Sequence, residues 1–527
     1  MVQPLAVGIC FIILTQAGNE PATPPAQPSA PSVQITWNFD NGSLGGWEIN
    51  ADGEIQLTHS PGSGGIWYYF QVDGASNQTL TFVIENARKD YYGHSLLPAI
   101  SYDQEHWSYI KDRYIEPHPT DLDRVRFRFT HTFAADRAWI AYSPPYPNSR
   151  LDALIKTVTA HSHVRVETLC VTPIHQLPVP ILILTDPAIP EDGKKTALIL
   201  CREEGHETAG SWIAEGMVRF LLSDSPEAAV LKQAFVFLIV PLFDRDAVAG
   251  GYAVHPLTPN GPGVYWTETW PETSYSFFEQ RQMKRFLQAW KDGGRTIDFS
   301  LRILSQSWNE DLARREHAAE IQFPLQDLLF MEKLSPTYLP WYSNAERLLQ
   351  DTRFSKFVFD LFPDAVTGLL QSDYLFFNDF GLNFHLYKTP ADLLTEGEMI
   401  VRALGECRDI TPQDPPPYLH AAELYDLTGS RKNQPGHVRC VYRDLLGRPP
   451  EYVRLYINET PYDLKPVTGG NDPDYRAGVL YTGFYSLEQE INQHHFEASN
   501  GSHGIRIPAE GAFVGPFRIA LRGGRKR

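Results

Sequence analysis

Cysteine is scarce in this chain of 527 residues. Cys10, Cys170, Cys201, Cys407 and Cys440 are all there is, and none forms a Cys-x-x-Cys pair. That spacing excludes a zinc knuckle and a thioredoxin-like redox site. Basic charge is also short. Lys and Arg number 46 against 63 Asp and Glu, a formal net charge of −17. A general nucleic-acid binder needs a basic surface to meet phosphate, so no nucleic-acid partner is expected. No apolar run reaches the roughly 20 residues that a membrane helix needs, so no stable membrane span is expected either. With 43% hydrophobic and 21% charged residues, the composition excludes a fully disordered chain and a membrane bundle.

What is present is aromatic and proline-rich. Aromatics at 12% and 41 prolines point to β-rich, loop-rich construction, and the length suggests about three domains. The apolar run Pro4 to Ile13 reads as a secretory signal over residues 1–17, which implies an exported protein (periplasmic, extracellular or at the cell surface). The segment before the run lacks Lys and Arg, so a misplaced start or a disordered tail is the competing reading. Cys10 lies inside the run, behind Val7-Gly8-Ile9, which is no lipobox. Residues 18–34 are rich in Pro, Ala and Ser and read as a disordered linker.

Residues 35–148 read as a β-sandwich. Val125, Phe127 and Phe129 alternate with Arg126, Arg128 and Thr130, which gives one core face and one wet face. Residues 149–409 change to an α/β pattern. Thr196–Cys201, Ala234–Val240 and Thr296–Leu304 read as strands, and Ser211–Leu222 and Ser276–Trp290 as helices. Apolar strands alternating with helices predict a mostly parallel mixed sheet covered on both faces, with functional groups at the carboxyl ends of the strands. Residues 412–527 return to short strands, among them His437–Tyr442 and Tyr452–Ile457, and suit an immunoglobulin-like β domain. Cys201 reads as a small core residue, and Cys407 with Cys440 is the pair left for a bridge. His161 and His163 alternate as on one strand face, and His494-His495 reads as solvent-facing. Asn41, Asn77, Asn458 and Asn500 head Asn-x-Ser/Thr sequons, which matter only in a glycosylating host.

Residues 201–216, CREEGHETAGSWIAEG, follow a strand and open a helix; residues 234–250, AFVFLIVPLFDRDAVAG, give the next strand and its exit loop. This pair resembles the zinc carboxypeptidase family, in its cytosolic-carboxypeptidase-like branch. There one strand ends in Ala-Arg-x-His-Pro-Gly-Glu-Thr and the next in Pro-x-x-Asn-Pro-Asp-Gly. Trp67-Tyr-Tyr-Phe70, Trp107 and Ala141-Tyr-Ser-Pro-Pro-Tyr146 are similar to the β domain that precedes the catalytic domain in that branch, so the resemblance covers roughly residues 60–405.

The resemblance implies a zinc site with three protein ligands and an open position for water, a carboxylate base, and cationic groups for the oxyanion. It places Glu207 on the family's ligand Glu, matches Thr208, Ser211 and Trp212, and matches Arg202, which it implies is a substrate-binding residue. The ligand His falls on Glu204, with His206 where Gly is usual. These make Glu204, His206 and Glu207 the metal candidates, with zinc as the implied cofactor. The family's Asn-Pro-Asp-Gly becomes Asp244-Arg-Asp-Ala247, keeping only Asp246. Thr267 and Glu268 stand in place of the substrate-binding Asn and Arg, with Trp266 and Trp270 beside them. The third ligand falls on Leu304, or on Ser300 in the alternative register. The catalytic carboxylate falls on Asn378 or Asp379. Glu268 at an Arg position would repel a substrate carboxylate rather than clamp it.

The scaffold is thus kept while most of the apparatus is replaced. The implied function is a catalytically degenerate carboxypeptidase-like protein whose cleft binds a peptide, a protein C-terminus or a glycan. Trp266, Trp270 and Tyr275 could stack on such a ligand, or pack under a long loop. The alternatives are an active metallocarboxypeptidase with a site rebuilt from Glu204, Glu207 and His206, and a structural or adhesion protein.

Overall fold

The computed structural model describes residues 33–256 (less 90, 93–95 and 119), 270, 277–304, 357–358, 361–371 (less 364), 388–406, 414, 417–425, 436–467 (less 445), 472–487 (less 477), 491–507 and 512–517. The first strand, Gln34–Thr36, opens one residue inside the span read as linker. Ten strands up to Ala141 form two five-stranded sheets. In the strand Arg124–Thr132 the alternation holds: Val125, Phe127 and Phe129 are buried between wetter neighbours. Phe82 pairs in register with Phe129 and stacks on it at 5.1 Å.

The central domain is built on six strands: β1 Val164–Val171, β2 Pro178–Leu184, β3 Lys195–Cys201, β4 Phe235–Val240, β5 Phe299–Leu304 and β6 Val366–Gln371. Their order is β1-β2-β4-β3-β5-β6. The β4–β3, β3–β5 and β5–β6 pairings are parallel, and β1–β2 and β2–β4 antiparallel. Its helices are α1 Asn148–Val158, α2 Thr208–Leu221, α3 Pro226–Ala234, α4 Arg245–Gly250, α5 Phe278–Asp292 and α6 Pro390–Glu406.

Because β3 from Ala197 onward and the whole of β4 are apolar and buried, both faces of the sheet are covered. Ala197, Ile199, Phe237 and Ile239 pack into the core that holds α2 and α6. Leu198, Leu200, Leu238 and Val240 face the core that holds Met283, Leu287 and Trp290 of α5. The α2–α6 crossing needs glycine: a Cβ on Gly397 would come 2.0 Å from the Ile213 carbonyl oxygen, and one on Gly216 2.0 Å from that of Leu394.

An aromatic corner joins the N-terminal part to this domain, and the Tyr109 hydroxyl adds a bond to the Lys388 carbonyl at 2.5 Å. Tyr146 meets Trp212 edge-on at 5.2 Å, and the Trp212 indole donates to the Pro144 carbonyl at 3.3 Å. Arg150 lies 4.0 Å over Trp212 and grips both oxygens of Glu215, at 2.9 and 3.0 Å. Beyond α6 the chain forms two further antiparallel sheets, one on Tyr418–Tyr425 and Gly436–Arg443, the other on Tyr452–Ile457 and Ile491–Ser499.

Two expectations change. His161 and His163 lie in the turn before β1, not on a strand, because Ala160 and Ser162 give that stretch no apolar face. His494 is buried, while His495 stacks on Tyr456 at 4.5 Å. Cys440 is a buried free thiol, and Cys407 lies outside the described residues. Among the described residues no helix is long and apolar enough to cross a membrane.

Candidate functional site

At the carboxyl end of β3 the backbone turns sharply. Arg202 has φ of +55°, an uncommon conformation for a residue with a Cβ and one that costs on the order of 1 kcal/mol. The turn is held from several sides. The Arg202 carbonyl accepts from the amides of Phe243 (3.2 Å) and Asp244 (3.1 Å). Its guanidinium, fully buried, donates to the carbonyls of Tyr146 (2.5 Å) and Gly205 (2.6 Å). Arg202 therefore fastens the loop to the segment that joins the N-terminal sheets to α1.

The next residues crowd acid into a dry space. Glu203 is buried against Arg302 of β5 as an ion pair, and its other oxygen accepts from the Trp270 indole at 2.7 Å. Glu204 and Glu207 are buried beside it, with the Glu204 amide donating to Oε2 of Glu207 at 3.2 Å. Burial pushes the Glu207 carboxyl up to about 8; the Arg302 charge opposes this and Glu203 adds to it. Burial, and then Glu207, raise Glu204 well above the usual carboxylate range, again against Arg302.

His206 is buried under the Tyr91 ring, and burial draws it down to about 4. The neutral ring donates through Nδ1 to the Ala253 carbonyl at 3.0 Å. Nδ1 is also the nitrogen that faces Glu204, at 3.6 Å, so it is not offered to an ion shared with that carboxylate.

A second cluster lies at the end of β4. Asp244 caps α4 through the Ala247 amide at 2.9 Å, and burial pushes it up to about 7. Asp246 accepts from the Thr172 hydroxyl (2.6 Å) and from the amides of Ile174 and His175 (both 2.9 Å), which hold it below the usual carboxylate range against the opposing effect of burial. His255 follows on the next loop, with Nε2 4.0 Å from Asp244 and 3.6 Å from Glu279 of α5. Among the described residues, the set that brings three ligand atoms within 4.8 Å of one another is Asp246, His255 and Glu279. Glu204, His206 and Glu207 are not such a set.

Trp270 is a core side chain, stacked between Phe243 at 6.2 Å and Phe357 at 6.0 Å. Trp266, Thr267, Glu268, Asn378 and Asp379 lie outside the described residues. The strand register separates the two third-ligand positions. Ser300 pairs with Leu198 in mid-sheet, whereas Leu304 closes β5 beyond the pairing of Cys201 with Ile303, at the level of the acidic loop. Sequence reasoning missed Glu203, Arg302, His255 and Glu279. The signal for Arg302 was a lone charge in an apolar strand. Nothing local marked His255 and Glu279 as neighbours.

Residues 35–143 match the family model described as the cytosolic carboxypeptidase N-terminal domain. Cytosolic carboxypeptidase 3 of mouse (Mus musculus) is 27% identical over 267 residues, which cover 46% of this chain and 26% of that protein. Cytosolic carboxypeptidase 6 of mouse is 23% identical over 297 residues, 53% of this chain and 54% of that protein. The chain thus spans between about a quarter and a half of the length of these relatives. Of solved structures, a metallo-carboxypeptidase from Burkholderia cenocepacia superposes with a TM-score of 0.57 at 20% identity, covering 72% of this chain and 99% of that one. A Pseudomonas aeruginosa metallo-carboxypeptidase does so with 0.55 at 17% identity, covering 72% and 99%. At such identities the likeness is one of fold.

Proposed function

The chain belongs to the metallocarboxypeptidase family, in its cytosolic-carboxypeptidase-like branch, and from there we propose that it recognises a polypeptide segment without hydrolysing it. The observation that carries this reading is Arg302. Its guanidinium sits in the acidic loop, paired with Glu203, and its charge reaches both Glu204 and Glu207. A fixed cation thus stands among the carboxylates that would have to hold the family's zinc. The donor set adds to this. Zinc sites of hydrolases are built on imidazole nitrogen, and among the described residues the one histidine of the loop does not bring its ring nitrogen together with Glu204 and Glu207 as a converging set. These residues do not fit a catalytic zinc ion, and no hydrolytic step is derived through one.

Of the ligands weighed, a peptide or a protein C-terminus is favoured over a glycan, because Trp270 offers no open face for a sugar. Export remains part of the proposal and rests on the apolar run Pro4 to Ile13. The C-terminal pair of sheets, read as immunoglobulin-like, would present or extend the binding surface.

The test is to incubate the full chain with zinc and a library of peptides with free C-termini. Mass spectrometry follows the peptide ends, and immobilised copies of the same peptides measure capture. The expected result is intact ends with selective capture. Release of C-terminal residues that Glu207→Gln abolishes would overturn the proposal, as would the absence of any selective capture.

A further inference from the structure

Glu279 is a buried carboxylate whose cation-capable neighbour, His255, stands 3.6 Å away. Its side chain is fully buried in the first turn of α5, and neither carboxylate oxygen receives a hydrogen bond. Oδ2 of Asp244, also fully buried, receives none either. A buried carboxylate without a donor forfeits its hydration with nothing in return. The helix N-terminus offsets part of that cost, but only part.

The neighbours are arranged around a gap. His255 Nε2 stands 3.6 Å from Glu279 and 4.0 Å from Asp244. Both separations are too long for hydrogen bonds. They are close to the roughly 3.4 Å between two ligands of one tetrahedral ion with bonds of about 2.1 Å. Asp246 completes a set whose ligand atoms lie within 4.8 Å of one another. Its Oδ2 accepts from the Ile174 amide alone, which leaves that oxygen a lone pair. Three carboxylates thus converge on one imidazole, and Arg245, the cation in the same turn, points away to Asn148, Pro178 and Asp152.

We propose that Glu279, His255 and Asp246, with Asp244 behind them, form a structural site for a divalent transition-metal ion that ties α4 and the loop after it to α5. One imidazole with carboxylates suits zinc or manganese rather than calcium or magnesium, which take oxygen alone. The site is separate from the acidic loop at the end of β3, shares no ligand with it, and supplies no water for hydrolysis.

The experiment uses the full chain, stripped by chelation and dialysed against zinc, then against manganese in a parallel sample. Bound metal is counted by plasma mass spectrometry and the thermal midpoint is recorded. The expected result is about one ion per chain and a raised midpoint, both lost in Glu279→Gln and in His255→Gln, and both kept in Glu207→Gln. X-ray absorption of the zinc-loaded wild type needs no variant to fold, and should show a nitrogen and oxygen shell with one imidazole. A folded wild type that retains no metal overturns the proposal. So does metal that survives Glu279→Gln, metal that disappears with Glu207→Gln, or sulfur in the absorption shell.

Discussion

Arg302 of β5 and Glu203 at the exit of β3 face each other as a fully buried ion pair, with the Trp270 indole on the second Glu203 oxygen. Removing one member of such a pair leaves the other charged and desolvated, which costs about 3–5 kcal/mol. Arg302→Met is therefore expected to lower the unfolding free energy measured in urea by that amount. Arg302→Met with Glu203→Gln should recover a large part of it, since the stranded charge is then gone. A loss below about 1 kcal/mol in the single variant would mean that the pair is not desolvated as described.

The α2–α6 crossing predicts a different kind of sensitivity. A methyl on Gly397 would fall 2.0 Å from the Ile213 carbonyl oxygen, and that atom is backbone, which cannot swing aside. Gly397→Ala is expected to destabilise by about 3 kcal/mol, at the upper end of the overpacking range. Because Glu207 is the N-cap of α2, the strain should also reach the acidic loop. Tryptophan fluorescence would report it through Trp212, which is buried on α2. An unchanged melt would show that the helices can part without cost.

Much of this frame was legible before the structure. Thr196–Cys201 and Ala234–Val240 are apolar without interruption, which only a sheet covered on both faces accommodates. The structure extends them by one residue or trims them by one. The exit loops after them fell where such a sheet puts its chemistry. Pairing across the fold was not legible. Arg302 finds Glu203, and Glu279 finds His255, only once β5 and α5 are set beside the ends of β3 and β4. Periodicity also could not say which aromatics in a long loop turn inward, so Trp270 stayed open between a stacking surface and packing under the loop, and the fold makes it a core side chain. The two histidines before β1 alternate like a strand, but without an apolar face the spacing meant nothing.

Acid should unsettle the N-terminal sheets through His59. Its ring bonds the Tyr92 hydroxyl at 2.9 Å and lies 3.3 Å from the Trp67 carbonyl. Burial draws it down to about 4, the Trp67 carbonyl opposing and the Arg124 charge adding a little. A folded value below the unfolded one of about 6.5 means that the unfolded chain takes up the proton first. Stability contributed by the neutral ring is whole above pH 6.5 and falls as pH drops from there towards 4, by at most about 3 kcal/mol. Thermal melts between pH 7 and 4 check this, with His59→Gln flattening the slope. A slope that the variant leaves intact would assign the acid sensitivity elsewhere.

Arg202 separates a binding role from a structural one. By resemblance it belongs to a substrate site, yet its guanidinium is spent on the Tyr146 and Gly205 carbonyls. Arg202→Gly removes the positive-φ strain, a gain of about 1 kcal/mol. It also removes two hydrogen bonds from a charged donor, each worth about 1.5–3 kcal/mol. The net expectation is a loss of about 2 kcal/mol or more, with the N-terminal sheets more readily released by limited proteolysis. Peptide capture, measured well below the melting point, should change by less than about twofold. Capture that collapses while the melt stays put would mean that Arg202 leaves those carbonyls to meet the ligand, and would return it to the binding site.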